Sequence, residues 1–100
     1  MIERTLLIKA RLGLHARAAA KLVRVASGFH SKVLLKRIDG PGGGNVSADA
    51  KSILSVLMLA ASCGTELQAS AEGIDEEAAM NAIDRLFDEG FGELGPEASR

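Results

Sequence analysis

Between Gly64 and Gly73 the chain reads Glu66-Leu67-Gln68-Ala69-Ser70-Ala71, a strict alternation of polar and apolar residues. Side chains of a β-strand point alternately to opposite faces, so this pattern specifies a strand with one face buried and the other wet. A sheet built on such a strand takes a cover on one face only. Two other segments have the helical spacing to supply it. Ala19, Leu22, Val23 and Ala26 form one apolar stripe, with Lys21 and Arg24 off it and Ser27-Gly28 as a stop. Asp75 reads as an N-cap, Glu76 and Glu77 as an acidic first turn, and Ala79, Ala82, Ile83 and Leu86 as the stripe of a helix closed by Gly90.

Further strands are expected over 5–10 (TLLIKA) and 32–38 (KVLLKRI), with a short edge strand at 46–48. Ser52 opens ILSVLMLAA, a helix over 53–61. The stretch Gly40-Pro41-Gly42-Gly43-Gly44 breaks both periodicities and reads as a surface insertion, since lengthening a loop costs little free energy. The order is β-α-β-β-α-β-α. It predicts an α+β, two-layer open-faced sandwich: a four-stranded antiparallel sheet covered on one face by three helices. A chain of 100 residues holds one core, expected over 1–90, with 91–100 (FGELGPEASR) as a frayed tail.

Charge and composition exclude several classes of function. Twelve basic and 13 acidic residues leave a net charge of −1, no field to gather nucleic acid or anionic lipid. The three aromatics are all Phe, read as core packing rather than base-stacking platforms. One cysteine, Cys63, forms no intramolecular disulfide, and with His15 and His30 it reproduces no compact zinc spacing, so no metal or cofactor is expected. Cys63 is expected to be a small packing residue and His30 a surface residue. The opening MIERTLLIKARLG lacks the unbroken apolar stretch of a leader, and no apolar run spans a bilayer, so the expectation is a cytoplasmic protein without membrane insertion. Lys51-Ser52 is not a P-loop, because the motif needs glycine where Asn45 and Ala50 stand.

Chemistry is concentrated in Gly13-Leu14-His15-Ala16-Arg17-Ala18, where a histidine lies between a glycine loop and a helix start. A helix N-terminus carries unpaired amide donors and about half a positive charge, which makes it an anion site. His15 and Arg17 converge there only if His15 is a non-helical cap residue. A neutral imidazole so placed attacks a phosphoryl donor, and the surrounding donors stabilise the product. The residues alone leave a second reading open, in which His15 is a plain capping residue and Arg17 a solvated charge.

The wider sequence bears on that choice. GLHARAA (residues 13–19), AKSIL (50–54) and the run from Gly64-Thr65-Glu66-Leu67 to Gly73-Ile74-Asp75-Glu76-Glu77-Ala78 resemble HPr, the histidine phosphocarrier family of the phosphoenolpyruvate-dependent sugar phosphotransferase system. The resemblance covers nearly the whole chain. It implies that His15, with Arg17, accepts phosphate from enzyme I and passes it to enzyme IIA proteins of a sugar or nitrogen branch. It also implies a regulatory phosphorylation at Ser52 by a serine kinase, reversed by a phosphorylase. Serine is independently a leading N-cap, so plain capping stays open there. The family's active-site motif has proline where this chain has Ala18, which restores an amide and frees φ in the first turn.

The helix after Ser52 has two apolar sides, Ile53, Leu54, Leu57 and Met58 on one and Val56, Leu59 and Ala60 on the other. A short helix over an open sheet buries only one of them, so the other is expected to meet a partner. The resemblance selects Ile53, Leu54 and Leu57, together with Ala16, Ala20, Arg24 and Lys51. Apolar side chains ringed by Arg17, Arg24 and Lys51 suit an acidic partner with a central apolar patch. A carrier presenting one face to successive partners is expected to be a monomer. The rival expectation is a regulatory binding module of the same fold, acting on kinases or transcription regulators through this helix and Ser52.

Overall fold

The computed structural model describes residues 1–37, 47–59 and 61–92. It contains strands β1 (Ile2–Leu7), β2 (Lys32–Arg37), β3 (Ser47–Asp49) and β4 (Glu66–Glu72). The helices are α1 (Ala16–Ser27), α2 (Ile53–Met58) and α3 (Glu76–Asp88), and a 3-10 turn at Gly90–Gly92 follows. The element order is the expected one. The strands stand β1-β4-β2-β3, with every neighbouring pair antiparallel. It follows that β1 and β2 run parallel with β4 between them, joined over one face by α1. In the same way β3 and β4 run parallel around β2, joined by α2.

The alternation in β4 sets the two faces. Leu67 pairs with Leu6, Ala69 and Ala48 with Leu35, and Ala71 with Val33, and all seven are buried. Gln68 lies opposite Thr5 and Lys36, and Ser70 opposite Glu3, on the uncovered face. Under the helices β4 offers Leu67 and the small methyl groups of Ala69 and Ala71. Ala18, Ala19 and Ala26 of α1 and Ala79 of α3 join the same core, with Leu22, Met80, Ile83 and Phe87 filling the remaining volume.

Several boundaries differ from the expectation, each for a non-local reason. β1 ends at Leu7 because its partner runs out at Glu66. Ile8 then exchanges single bonds with the turn before β4, its amide to the Thr65 carbonyl (2.9 Å) and its carbonyl from the Gly64 amide (2.8 Å). The second helix stops at Met58 rather than 61, since the Ala61 carbonyl accepts the Leu14 amide at 2.9 Å. In α3 the buried residues are Ala79, Met80, Ile83 and Phe87, so the stripe is turned and Ala82 and Leu86 are only half-buried. The Phe87 and Phe91 rings, 4.9 Å apart, set that rotation. The glycine stretch 40–44, Ile38 and Val46 lie outside the described residues.

Asp75 occupies the N-cap position of α3, but its side chain makes no cap bond. Its carboxylate instead accepts the amides of His30 and Ser31, both at 2.8 Å, and the Ser31 hydroxyl. The hydroxyl and the amides hold its pKa down at about 2. They also satisfy Ser31, which is buried. Glu76 serves the helix start in its place, accepting the Gly73 amide at 3.0 Å. At the other end Phe91 is fully buried at φ 58°, and its carbonyl accepts the Lys21 ammonium at 2.7 Å. The packed chain thus runs two residues beyond the expected limit at 90. Residues 93–100 of the expected tail lie outside the described residues.

Candidate functional site

Gly13 begins the local geometry. Its φ of 70° is a left-handed turn, and a Cβ there would lie 2.5 Å from the Ala61 carbonyl oxygen. Leu14 is buried beside it, which fixes the chain direction one residue before the helix. His15 follows as the N-cap of α1, with φ −81° and ψ −178°. Its carbonyl accepts the first helical bond, from Ala19 at 2.8 Å, while its ring turns back over the helix end. Nδ1 accepts the Arg17 main-chain amide at 3.3 Å. An N–H pointing at Nδ1 means that this nitrogen presents its lone pair. The expected convergence of His15 and Arg17 is therefore realised through the Arg17 backbone.

The ring is half-buried, Ala16 and Arg17 are exposed, and the first turn of α1 carries no acidic residue. The positive end of the helix is thus uncompensated by its own side chains. Arg24 is exposed two turns further along α1, on the same side as Arg17, and Ala20 is half-buried between them. The arrangement offers a nucleophilic nitrogen, main-chain donors beside it and a guanidinium next along the chain.

Helix α2 packs against α1. Ser52 caps it, its hydroxyl accepting the Ser55 amide at 3.3 Å. Val56 and Leu59 are buried, whereas Ile53, Leu54 and Met58 are exposed at 43%, 67% and 69%. The described part of this helix has an exposed and a buried side, Ala60 of the expected second side lying outside the described residues, and two residues expected to meet a partner are placed otherwise. Leu57 packs against the core as a half-buried residue. Lys51 is also half-buried, and its ammonium donates to the Phe29 carbonyl at 2.8 Å, tying the end of α1 to the start of α2 rather than standing free. Leu12, 70% exposed in the loop before His15, was not among the expected surface residues. Its signal is an apolar side chain between Arg11 and Gly13, in a segment too irregular to bury it.

Cys63 is exposed, its Sγ 3.8 Å from the Lys9 carbonyl, so the expected packing role is wrong: it sits in a turn and not on the core side of a helix. His30 is exposed as expected. Among the described residues no three His, Cys, Asp or Glu side chains gather as a metal site. No described helix is long and apolar enough to cross a membrane.

Residues 2–89 match the family model described as "PTS HPr component phosphorylation site". The chain belongs to the HPr family. The HPr phosphocarrier of Treponema pallidum is 44% identical over 93 residues, covering 93% of this chain and 99% of that one. The NPr phosphocarrier of Escherichia coli K12 is 37% identical over 92 residues, covering 92% and 97%. Among solved structures, an HPr from Thermoanaerobacter tengcongensis superposes with a TM-score of 0.82 at 39% identity, covering 95% of this chain and 100% of that one. Membership brings with it a phosphocarrier role in the phosphotransferase system, and the open-faced sandwich is the fold that HPr structures share with this chain.

Proposed function

We propose that His15 is the phosphoryl acceptor of this HPr-family protein, taking the group from phosphorylated enzyme I and delivering it to an enzyme IIA protein. The observation that carries the reading is the Arg17 amide directed at His15 Nδ1 at a helix N-terminus. The Nδ1 lone pair attacks phosphorus in line while the P–N bond to the donor histidine breaks, and the electron pair leaves with the donor imidazole. The Arg17 amide is then placed to donate to a phosphoryl oxygen instead of to the ring. Arg17 supplies a positive side chain next to the spreading charge. The same donors serve the forward and reverse directions, as a carrier between two proteins requires.

Partner docking is assigned to the surface of Ile53, Leu54 and Met58 on α2 with Ala16, Ala20 and Arg24 on α1. Exposed apolar groups beside cations suit an acidic partner with an apolar centre. Leu12 borders the histidine and joins this set. Ser52 is proposed as a regulatory acceptor: a phosphate there adds nearly two negative charges next to Ile53 and repels the same acidic partner. The reading places the protein in the cytoplasm as a monomer. The test is incubation with phosphoenolpyruvate, magnesium and enzyme I, followed by intact mass. The expected result is one acid-labile phosphate that is absent from His15→Ala. Labelling that survives His15→Ala contradicts it, and binding of kinases or regulators without labelling favours the regulatory module.

A further inference from the structure

The loop that delivers His15 leaves β1 at Ile8 and enters α1 at Ala16, and one turn, residues 62–65, with Ala61 before it, touches both of its ends. At the near end Ile8 exchanges two main-chain bonds with Gly64 and Thr65. At the far end the Leu14 amide donates to the Ala61 carbonyl at 2.9 Å, and the Gly13 α-carbon lies so close that a Cβ would meet Ala61 O at 2.5 Å and Ser62 Cα at 2.8 Å. The turn is closed by Thr65: its amide donates to the Ser62 carbonyl at 3.0 Å, and its Oγ1 accepts the Ser62 amide at 3.2 Å. Thr65 is buried, whereas Ser62, Cys63 and Gly64 are exposed.

We infer that Thr65 is a positioning residue for phosphoryl transfer, setting the His15 ring through Ser62, the Ala61 carbonyl and Leu14. This rests on His15 being the acceptor. Removing the hydroxyl takes the side-chain acceptor from the Ser62 amide, leaves the turn closed by the Thr65 amide alone, and lets Ala61 drift from the Leu14 amide. A displacement of a fraction of an ångström at Leu14 is passed directly to the next residue, and transfer is steeply sensitive to the placement of the attacking atom.

The experiment compares the parent chain, Thr65→Val, Thr65→Ser and Gly13→Ala in phosphorylation by enzyme I and phosphoenolpyruvate. The Arg17 amide and His15 imidazole resonances are followed alongside. Thr65→Val keeps the shape of the side chain without its acceptor, so kcat falls about tenfold with KM for enzyme I little changed, and both resonances move. Thr65→Ser restores rate and resonances. Gly13→Ala presses the same contact apart from the other side and lowers kcat with the sheet resonances in place; it carries the test if Thr65→Val fails to fold. Parent-like rates and unmoved resonances in the folded variants overturn the inference. A parent that is not labelled at all overturns the acceptor reading instead.

Discussion

His15 caps α1 with Nδ1, the nitrogen proposed to attack, so in the proposed transfer the Arg17 amide exchanges one partner for another without opening the helix end. Other single residues carry equally specific expectations. Ala18 sits in the first turn, where a missing amide is tolerated, so Ala18→Pro is expected to stabilise the protein by about 0.4–1 kcal/mol through the unfolded chain. A urea midpoint below that of the parent contradicts this. Asp75 is charged down to about pH 2 in the folded protein, against an ordinary value of 3.8. Its bonds to His30 and Ser31 therefore contribute fully above the ordinary value and are lost as pH falls from there toward 2. In Asp75→Asn the loss of stability over that range is expected to flatten, read from urea midpoints across pH; an unchanged acid slope assigns the sensitivity elsewhere. The cap at His15 was legible in the sequence because glycine and histidine before an alanine-rich stripe have few other arrangements. The destination of the Asp75 carboxylate was not, since Ser31 lies 44 positions away and nothing local marks it.

Among the elements, β4 was readable in full because a period of two admits one buried face. The helices were readable as helices but not in rotation or length. The α3 sequence has apolar residues at both Ala82–Leu86 and Met80–Phe87, and only the Phe91 ring packed on Phe87 decides which set turns inward. The apolar run of α2 continues to Ala61, yet the chain leaves the helix to bond the histidine loop. The two sides of α2 predict opposite responses. Leu54→Glu, on the exposed side, is expected to leave stability within about 0.5 kcal/mol and weaken coupling to enzyme I about tenfold. Leu59→Ala, in the core, is expected to cost about 2–5 kcal/mol while folded molecules still couple. Chemical denaturation and the concentration dependence of phosphorylation separate them, and a Leu54→Glu protein that couples like the parent removes α2 from the docking face.

For the whole molecule, the topology puts the helices on one side of the sheet and packs α2 against α1, with the start of α2 tied to the end of α1 through Lys51 and the chain after α2 bonded to Leu14 before the start of α1. That leaves a half-buried histidine, a row of cations and an apolar ridge on one packed body. The fold class was legible from one alternating strand plus element order, while the closing turn at Phe91 was hidden behind glycines that mimic a frayed end. Of the residues expected to meet a partner, Lys51 and Leu57 have side chains claimed by the Phe29 carbonyl and by the core, which no local pattern in the sequence marks. The account stands on which atom carries the phosphate. The measurement is ³¹P and ¹⁵N NMR of protein labelled at the imidazole nitrogens and phosphorylated by enzyme I. The account predicts a single phosphorus coupled to His15 Nδ1, with the Arg17 amide among the most displaced signals; phosphorus on Nε2, or on a residue other than His15, contradicts it.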